Sequence, residues 1–402
     1  MRDPSKSYDV VVVGGGPAGA LTAYHLAKAG ARTMVLDAEA FPREKTCGGG
    51  LQHRAAMRIP FDWRPALRSE LDGICFSYQC GPRFSRKNRE TLVYGILRRE
   101  FDALLLEHAR DAGARVLQKC RVSSIQANGC EFANLETSSG TISARYVVGA
   151  DGANSIVRQS INRRSDYYWQ AAISCEVPEE CFRPGALDSS TIRVDWGSLP
   201  SGYGWMFPKR GFVNVGVGGP PAVGRMLRSY LARLLESEKV LKPGALEGLQ
   251  FRGHQLPTLQ QGTPLSRGNI LLAGDAAGLV DPLTGDGISC ALHSAGIAAE
   301  TLLELLRGEH EDAGIYDRRI LEEIGTELFW SRKLLSFLIA FPHFVHRAAE
   351  RYDRVWRAFC GVVRGEDSLL VFRRKFLPVE PLLRMLEAFA ARRERRVLGV
   401  EH

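Results

Sequence analysis

Tyr8–Val13 is an unbroken apolar strand that runs into Gly14-Gly15-Gly16-Pro17-Ala18-Gly19, and a helical stretch follows to Lys28. Few backbones accept that order. Gly14, Gly16 and Gly19 fall at the G-x-G-x-x-G spacing, which serves a tight turn, a close approach of backbone to a pyrophosphate, and tight helix–strand packing. Ala18 lies in the same first helical turn, whose amides point at the ligand. A second strand, Thr33–Leu36, ends in Asp37, about 20 residues on, where a carboxylate can take a ribose hydroxyl pair. The expectation is an α/β fold with a Rossmann-like dinucleotide site.

A second segment completes that site. Ile270–Ala273 reads as a short apolar strand, followed by Gly274-Asp275, a Gly/Pro-rich turn through Gly285 and Gly287, and a helix from about Ile288. Asp275 can accept hydrogen bonds from sugar-alcohol hydroxyls. Gly285 and Gly287 let backbone amides approach a planar ligand. The helix start would aim its positive end at that ligand, as the N1/C2 carbonyl edge of a reduced, anionic flavin requires.

Between these segments the pattern changes. Glu100–Ala112 reads as a helix, Arg115–Ile125 as one or two strands, Gly129–Leu135 with Thr141–Ser143 as a hairpin, and Tyr146–Ala150 as a buried strand before Asp151-Gly152. Ala172–Val177, Thr191–Trp196, Trp205–Pro208 and Phe212–Val217 read as strands between Gly/Pro/Ser turns, and Ala222–Ser237 as a helix. We therefore expect a nucleotide domain assembled from residues 1–70, 95–165 and 265–314. A β-sheet substrate domain is inserted as 71–94 and 166–264, and a helical region spans 315–402. The crevice between the first two is the natural ligand site. A single G-x-G-x-x-G leaves no second dinucleotide domain for a nicotinamide donor.

Composition bounds the rest. No run of ~20 apolar residues without charges occurs, so no transmembrane helix is expected. The apolar run near the start is used up by the fingerprint, which argues against a signal peptide. Nine scattered cysteines without a Cys-x-x-Cys pair suit a reducing cytoplasm. His343 and His346 are three residues apart, but no further ligand pattern joins them, so no metal is expected. Net charge is +8, and roughly +7 of it follows residue 329. Arg373-Arg374-Lys375 and Arg392-Arg393-Glu394-Arg395-Arg396 stand out there, and Phe329, Trp330, Leu334, Leu335, Phe337, Leu338, Ile339, Phe341 and Phe344 interleave. No nucleic-acid motif accompanies the charge. Two readings stay open: peripheral contact with an anionic membrane, or a solvated helical face over a small core.

With these motifs in hand, the chain resembles the flavoprotein family containing p-hydroxybenzoate hydroxylase, over about residues 8–310. Within it, the chain is similar to the geranylgeranyl reductases. Lys45-Thr46-Cys47-Gly48-Gly49-Gly50-Leu51 is similar to their Cys-Gly-Gly loop, and Gly202–Lys209 to their Tyr-x-Trp-x-Phe-Pro strand. The resemblance implies noncovalent FAD, held also by the Val148–Gly152 segment with Asp151, by Arg98 in Arg98-x-x-Phe101-Asp102, by the backbone at Val122, and by the loop at Cys47 and Gly48. One departure is Asp286, where the family often shows Glu.

An isolated isoprenoid double bond is not polarised, so hydride addition needs protonation at the other carbon and tolerance of transient positive charge. Tyr203, Trp205 and Phe207 would share one strand face, where aromatic rings line a prenyl chain and attract a cation. Cys47 could donate a proton, shape the flavin environment, or be an inert small hydrophobe. The leading expectation is an FAD-dependent reductase of a lipophilic isoprenoid, with Cys47, Tyr203 and Trp205 as catalytic candidates. An FAD-dependent monooxygenase of the same fold and an electron carrier to a membrane quinone remain alternatives. NAD(P)H or reduced ferredoxin would supply electrons.

Overall fold

The computed structural model describes residues 7–127, 131–199, 201–238, 241, 242, 248–376, 388, 389 and 392. Its first sheet has the order Ser266–Arg267, Ile270–Leu272, Gly140–Gly149, Ser7–Val13, Thr33–Leu36, Arg115–Leu117. The four pairings from Ile270–Leu272 to Arg115–Leu117 are parallel. A parallel sheet is covered on both faces, which is why Val10–Val13 are all apolar and all buried. Helix Pro17–Lys28 packs between helices Arg98–Asp111 and Ile288–Arg307 on this sheet.

The expected hairpin is Ala133–Thr137 with Gly140–Gly149. The second strand runs on without a break into the stretch read as a separate strand, because Gly140–Gly149 pairs first with the hairpin and then with Ser7–Val13. Residues 128–130 of the expected hairpin lie outside the described residues.

The second sheet has seven strands: Arg252–Leu259, Tyr167–Pro178, Phe212–Gly219, Tyr203–Lys209, Thr191–Trp196, Gly73–Tyr78 and Arg83–Lys87. Arg252–Leu259 carries Gly253 and Pro257 and gave no strand pattern. It is an edge strand, where a missing N–H leaves no ladder bond unmade. The two faces differ sharply. Met206, Val213, Val215 and Val217 pack under helix Leu227–Glu238 through Tyr230, Leu231 and Leu234. That helix is shorter than expected, since Pro221–Met226 forms a 3₁₀ turn around Pro221 and Gly224. The alternate residues, including Ile74, Phe76, Val194, Trp205 and Phe207, face the first sheet's ligand end across a cavity.

After Gly314 the described chain is helical: Gly314–Ile320, a π turn at Leu321–Gly325, Thr326–Ala340, Pro342–Arg351, Asp353–Arg364 and Leu369–Phe376. Pro378, Pro381, residues 393–396 and the side chains of Arg373 and Lys375 fall outside the description.

Candidate active site

One cavity of about 990 Å³ runs between the two sheets. Its first wall is the fingerprint. Gly14 sits at φ +103° and donates its N–H to the Leu36 carbonyl at 2.7 Å. Gly16 precedes the helix, and the first-turn amides after it have no intrahelical acceptor. Asp37 lines the cavity and also braces the turn: Gly15 N–H donates to Oδ2 at 2.7 Å and Glu39 N–H to Oδ1 at 2.8 Å. Ala18, Val122, Asp151, Gly285, Gly287 and Ile288 line the same cavity. Gly19 and Gly274 do not. They pack behind the wall, where a Cβ on Gly19 would stand 1.9 Å from the Gly14 carbonyl oxygen and one on Gly274 3.0 Å from Ala18 Cβ. Asp37→Ala should lower FAD affinity about tenfold to hundredfold and stability by about 1–3 kcal/mol, because two backbone donors lose their acceptor along with any ribose contact. Flavin release followed by fluorescence and a thermal melt measure both.

These residues fit FAD. Asp151 Oδ2 accepts from Ile156 N–H at 2.7 Å, but Oδ1 is buried without a protein partner on the cavity wall. Burial raises the pKa of that carboxyl. Arg98 makes a two-bond fork to Asp102, at 2.8 Å each, that sets its guanidinium on the cavity edge. Burial opposes its charge, and the Asp102 carboxylate more than restores it.

Asp275 meets groups from the second sheet and from the loop before Gly50. His254 Nε2, on the edge strand Arg252–Leu259, stands 3.5 Å from Asp275 Oδ2, and Lys45 Nζ stands 3.1 Å from the same nitrogen. Burial pushes the Asp275 carboxyl up, but the His254 hydrogen bond and the Lys45 and Arg98 charges outweigh it and hold the pKa below the ordinary value. Burial lowers the Lys45 ammonium against the pull of Asp275.

The two segments that resembled the reductases meet face to face. A Cβ on Gly48 would lie 3.3 Å from Trp205 Nε1 and 3.4 Å from Phe207, so the bare loop is what lets the strand's rings approach. Gly49, at φ +67°, gives Cys47 a turn in which Gly49 N–H donates to Sγ at 3.3 Å. Trp205 Nε1 donates to Asn214 Oδ1 at 2.8 Å, and Asn214 Nδ2 to Glu176 Oε1 at 2.9 Å. Lys209, 5% exposed, lies 3.7 Å from the same carboxylate, and burial lowers its pKa. Tyr203 hydroxyl donates to the Thr284 carbonyl beside Gly285, and burial raises its pKa. Tyr203, Trp205 and Phe207 all line the cavity.

Sequence reasoning missed the contacts of Lys45, His254, Asn214 and Glu176: His254 reaches the Lys45 loop from the seven-stranded sheet, and Asn214 and Glu176 are cross-strand neighbours within that sheet. It also left part of the tail open between two readings. Leu334, Leu335, Leu338 and Ile339 line the cavity, with Val345, Trp356 and Phe359 from the next two helices. They are not an outer face, because helices 326–364 close over the exposed side of the seven-stranded sheet. Phe329 and Phe344 do stay exposed.

The family profile described as an FAD binding domain matches residues 7–170. A geranylgeranyl bacteriochlorophyll reductase-like protein from Thermoplasma acidophilum shares the fold at a TM-score of 0.74 and 23% identity, covering 96% of this chain and 99% of that one. A flavin-dependent brominase also shares it, at 0.68 and 18%, covering 92% and 98%. Together with the relatives that follow, the profile makes the class an FAD-dependent oxidoreductase. A digeranylgeranylglycerophospholipid reductase of Methanococcus vannielii is 30% identical over 84% of this chain and 86% of its own. A menaquinone reductase of Mycolicibacterium smegmatis is 30% identical over 90% and 93%. The chain belongs to the geranylgeranyl reductase family. Among the described residues no helix is long and apolar enough to cross a membrane. No cluster of three metal-ligating side chains occurs among them either.

Proposed function

We propose that this protein saturates carbon–carbon double bonds in a long isoprenoid chain. One observation carries the reading: the polar slot of Gly14, Asp37 and Asp275 opens into an apolar extension walled by Ile74, Phe76, Val194, Leu338, Trp356 and Phe359. A compact aromatic substrate needs no such length. Reduced FAD, held by Gly14, Asp37 and Asp275, would supply the hydride that the alkene accepts. Gly48 lets the Trp205 and Phe207 rings close against the Cys47 loop, which sets that loop beside the aromatic wall. The Asn214–Glu176 pair fixes the Trp205 indole, so its face is presented to developing positive charge rather than turned away. Helices 326–364 exclude water from the apolar part, which protects a cation-like carbon from capture. Cys47 Sγ, or a water held by its loop, delivers the proton. Electrons come from NAD(P)H or a reduced ferredoxin.

Anaerobic incubation of the chemically reduced protein with a panel of prenyl substrates should give products heavier by two hydrogens per double bond, read by mass spectrometry. Oxygen consumption in step with substrate would favour a monooxygenase. Flavin reoxidation by a quinone with no change in substrate mass would favour an electron carrier.

Peripheral membrane contact is the second part of the proposal. Phe344 is 64% exposed, and Phe329, Tyr352 and Phe389 are exposed on the same basic, helical region. Cosedimentation with anionic vesicles should occur and fade as salt rises, with each Lys or Arg at the surface adding up to about 1 kcal/mol. Equal partitioning onto neutral vesicles would reject the electrostatic part.

A further inference from the structure

The strand face that carries Tyr203, Trp205 and Phe207 has a fourth member. Residues two apart on a strand share a face, and Lys209 follows Phe207 at that spacing. Its side chain is 1% exposed. Burying an ammonium costs free energy unless it meets charge or acceptors. Lys209 Nζ lies under the Cys47 loop: a Cβ on Gly49 would stand 2.6 Å from it, so the bare glycine is what admits the ammonium there. Gly49 N–H in turn donates to Cys47 Sγ at 3.3 Å. On its other side, Lys209 Nζ lies 3.7 Å from Glu176 Oε1, and the Glu176 side chain is 44% exposed. Three groups thus run from solvent to the active-site cavity: Glu176 at the surface, Lys209 sealed beneath it, and Cys47 on the cavity wall.

Two other cations bear on Cys47. Arg98 is forked to Asp102, and a guanidinium does not release its proton. Lys45 stands against His254 and Asp275 in the polar slot. Of the three, Lys209 is the one joined to an exposed carboxylate. Glu176, on the neighbouring strand Tyr167–Pro178, and Cys47, on the loop, are the titratable groups that face it among the described residues. Burial lowers the Lys209 pKa against the pull of both, which eases release of its proton toward the loop.

We propose that Lys209 returns a proton to Cys47 between turnovers, with Glu176 collecting that proton from solvent. The proposal rests on the reading that Cys47 Sγ protonates the alkene. In each cycle the alkene takes hydride from reduced FAD at one carbon and the Cys47 proton at the other, which leaves a saturated bond, oxidised FAD and a thiolate. An N–H proton of Lys209 passes to the thiolate and restores the thiol. The neutral amine then takes a proton from water through the Glu176 carboxylate, and the electron donor reduces FAD again. Lys209 touches no substrate and acts through Cys47.

Rapid-quench mass spectrometry of the FAD-loaded full chain tests the relay, with excess dithionite as reductant and geranylgeraniol or a menaquinone as probe. Lys209→Arg keeps the charge but holds its proton. It should form the first equivalent of product at the native rate and later ones about tenfold more slowly. Lys209→Met, which loses the charge as well, should slow both phases. Glu176→Gln keeps an acceptor for Asn214 and should slow only the later equivalents. Native later turnovers in Lys209→Arg would reduce Lys209 to a counter-charge and overturn the relay. If the buried substitutions do not fold, Glu176→Gln decides alone, and native later turnovers there overturn it too. A second measurement needs neither substrate nor flavin. Alkylation of Cys47 by iodoacetamide, read by peptide mass spectrometry, should be about fivefold slower in Lys209→Met and near native in Lys209→Arg, because a nearby cation favours the thiolate. An unchanged rate in Lys209→Met would put Lys209 out of reach of Sγ and overturn the relay. If the native protein saturates neither prenyl probe, the isoprenoid reading fails and the relay with it; native product formation with unaltered variants removes the relay alone.

Discussion

Gly14→Ala and Gly19→Ala proteins should emerge without FAD and destabilised by about 3–5 kcal/mol. At Gly14, φ is +103° and an added Cβ would stand 2.3 Å from the Ala150 carbonyl oxygen. That carbonyl belongs to backbone, and Ala150 N–H donates to Val13 at 2.8 Å, so no side chain can swing aside. The strands themselves must part. Gly19 is the more instructive case. It does not line the cavity, and alanine there improves helix propensity by about 1 kcal/mol. Its Cβ would nevertheless meet the Gly14 oxygen at 1.9 Å, forcing helix Pro17–Lys28 off the sheet and moving the first-turn amides from the pyrophosphate. Flavin content after purification and the melting temperature measure the two effects. A yellow Gly19→Ala protein with native melting would show that this packing is not what positions the cofactor.

Trp205→Ala should reduce turnover with little loss of FAD, at a cost of about 2–4 kcal/mol in transition-state binding. The indole is buried, faces Gly48, and is pinned through Asn214 to Glu176. Removing it opens a void beside the loop and leaves the Asn214 acceptor empty. Cys47→Ala separates the remaining alternatives. If Sγ delivers the proton, turnover collapses while flavin reduction by the donor continues at its normal rate. If Cys47 only shapes the turn through its bond from Gly49 N–H, Cys47→Ser keeps most activity and both variants shift the flavin spectrum. Product formation by mass spectrometry, alongside the rate of flavin bleaching, reads both steps. Native rates in both Trp205→Ala and Cys47→Ala would put the chemistry elsewhere in the cavity.

What was legible in the sequence was whatever depends on short stretches of backbone. The Gly14–Gly19 turn, the strand before it and Asp37 declare themselves because a turn at positive φ and a strand buried on both faces each restrict residue type locally. The same holds for Gly274–Ile288. Period-2 alternation likewise put Tyr203, Trp205 and Phe207 on one face before their neighbours were known. The apolar residues after Phe329 were ambiguous for the opposite reason. A helix that covers a cavity and a helix that faces a bilayer present the same amphipathic stripe, and only the partner distinguishes them. Helices 326–364 closing over the seven-stranded sheet resolved Leu334, Leu338 and Ile339 into cavity wall, while Phe344 stayed outside.

By itself, then, the sequence determined the α/β class, the dinucleotide turn and its acid, and the aromatic strand, since each is written within about 20 residues and enforced by local sterics. Only the tertiary structure decided that Lys45 and His254 converge on Asp275, that Asn214 and Glu176 hold Trp205, and that Trp196 and His346 share an unpaired end of the cavity. No motif writes those pairings, and most of them join distant parts of the chain. Strand pairing, burial between two sheets and a helical cover bring them together, and a hydrogen-bonding need becomes visible only once the neighbours that fail to meet it are in place.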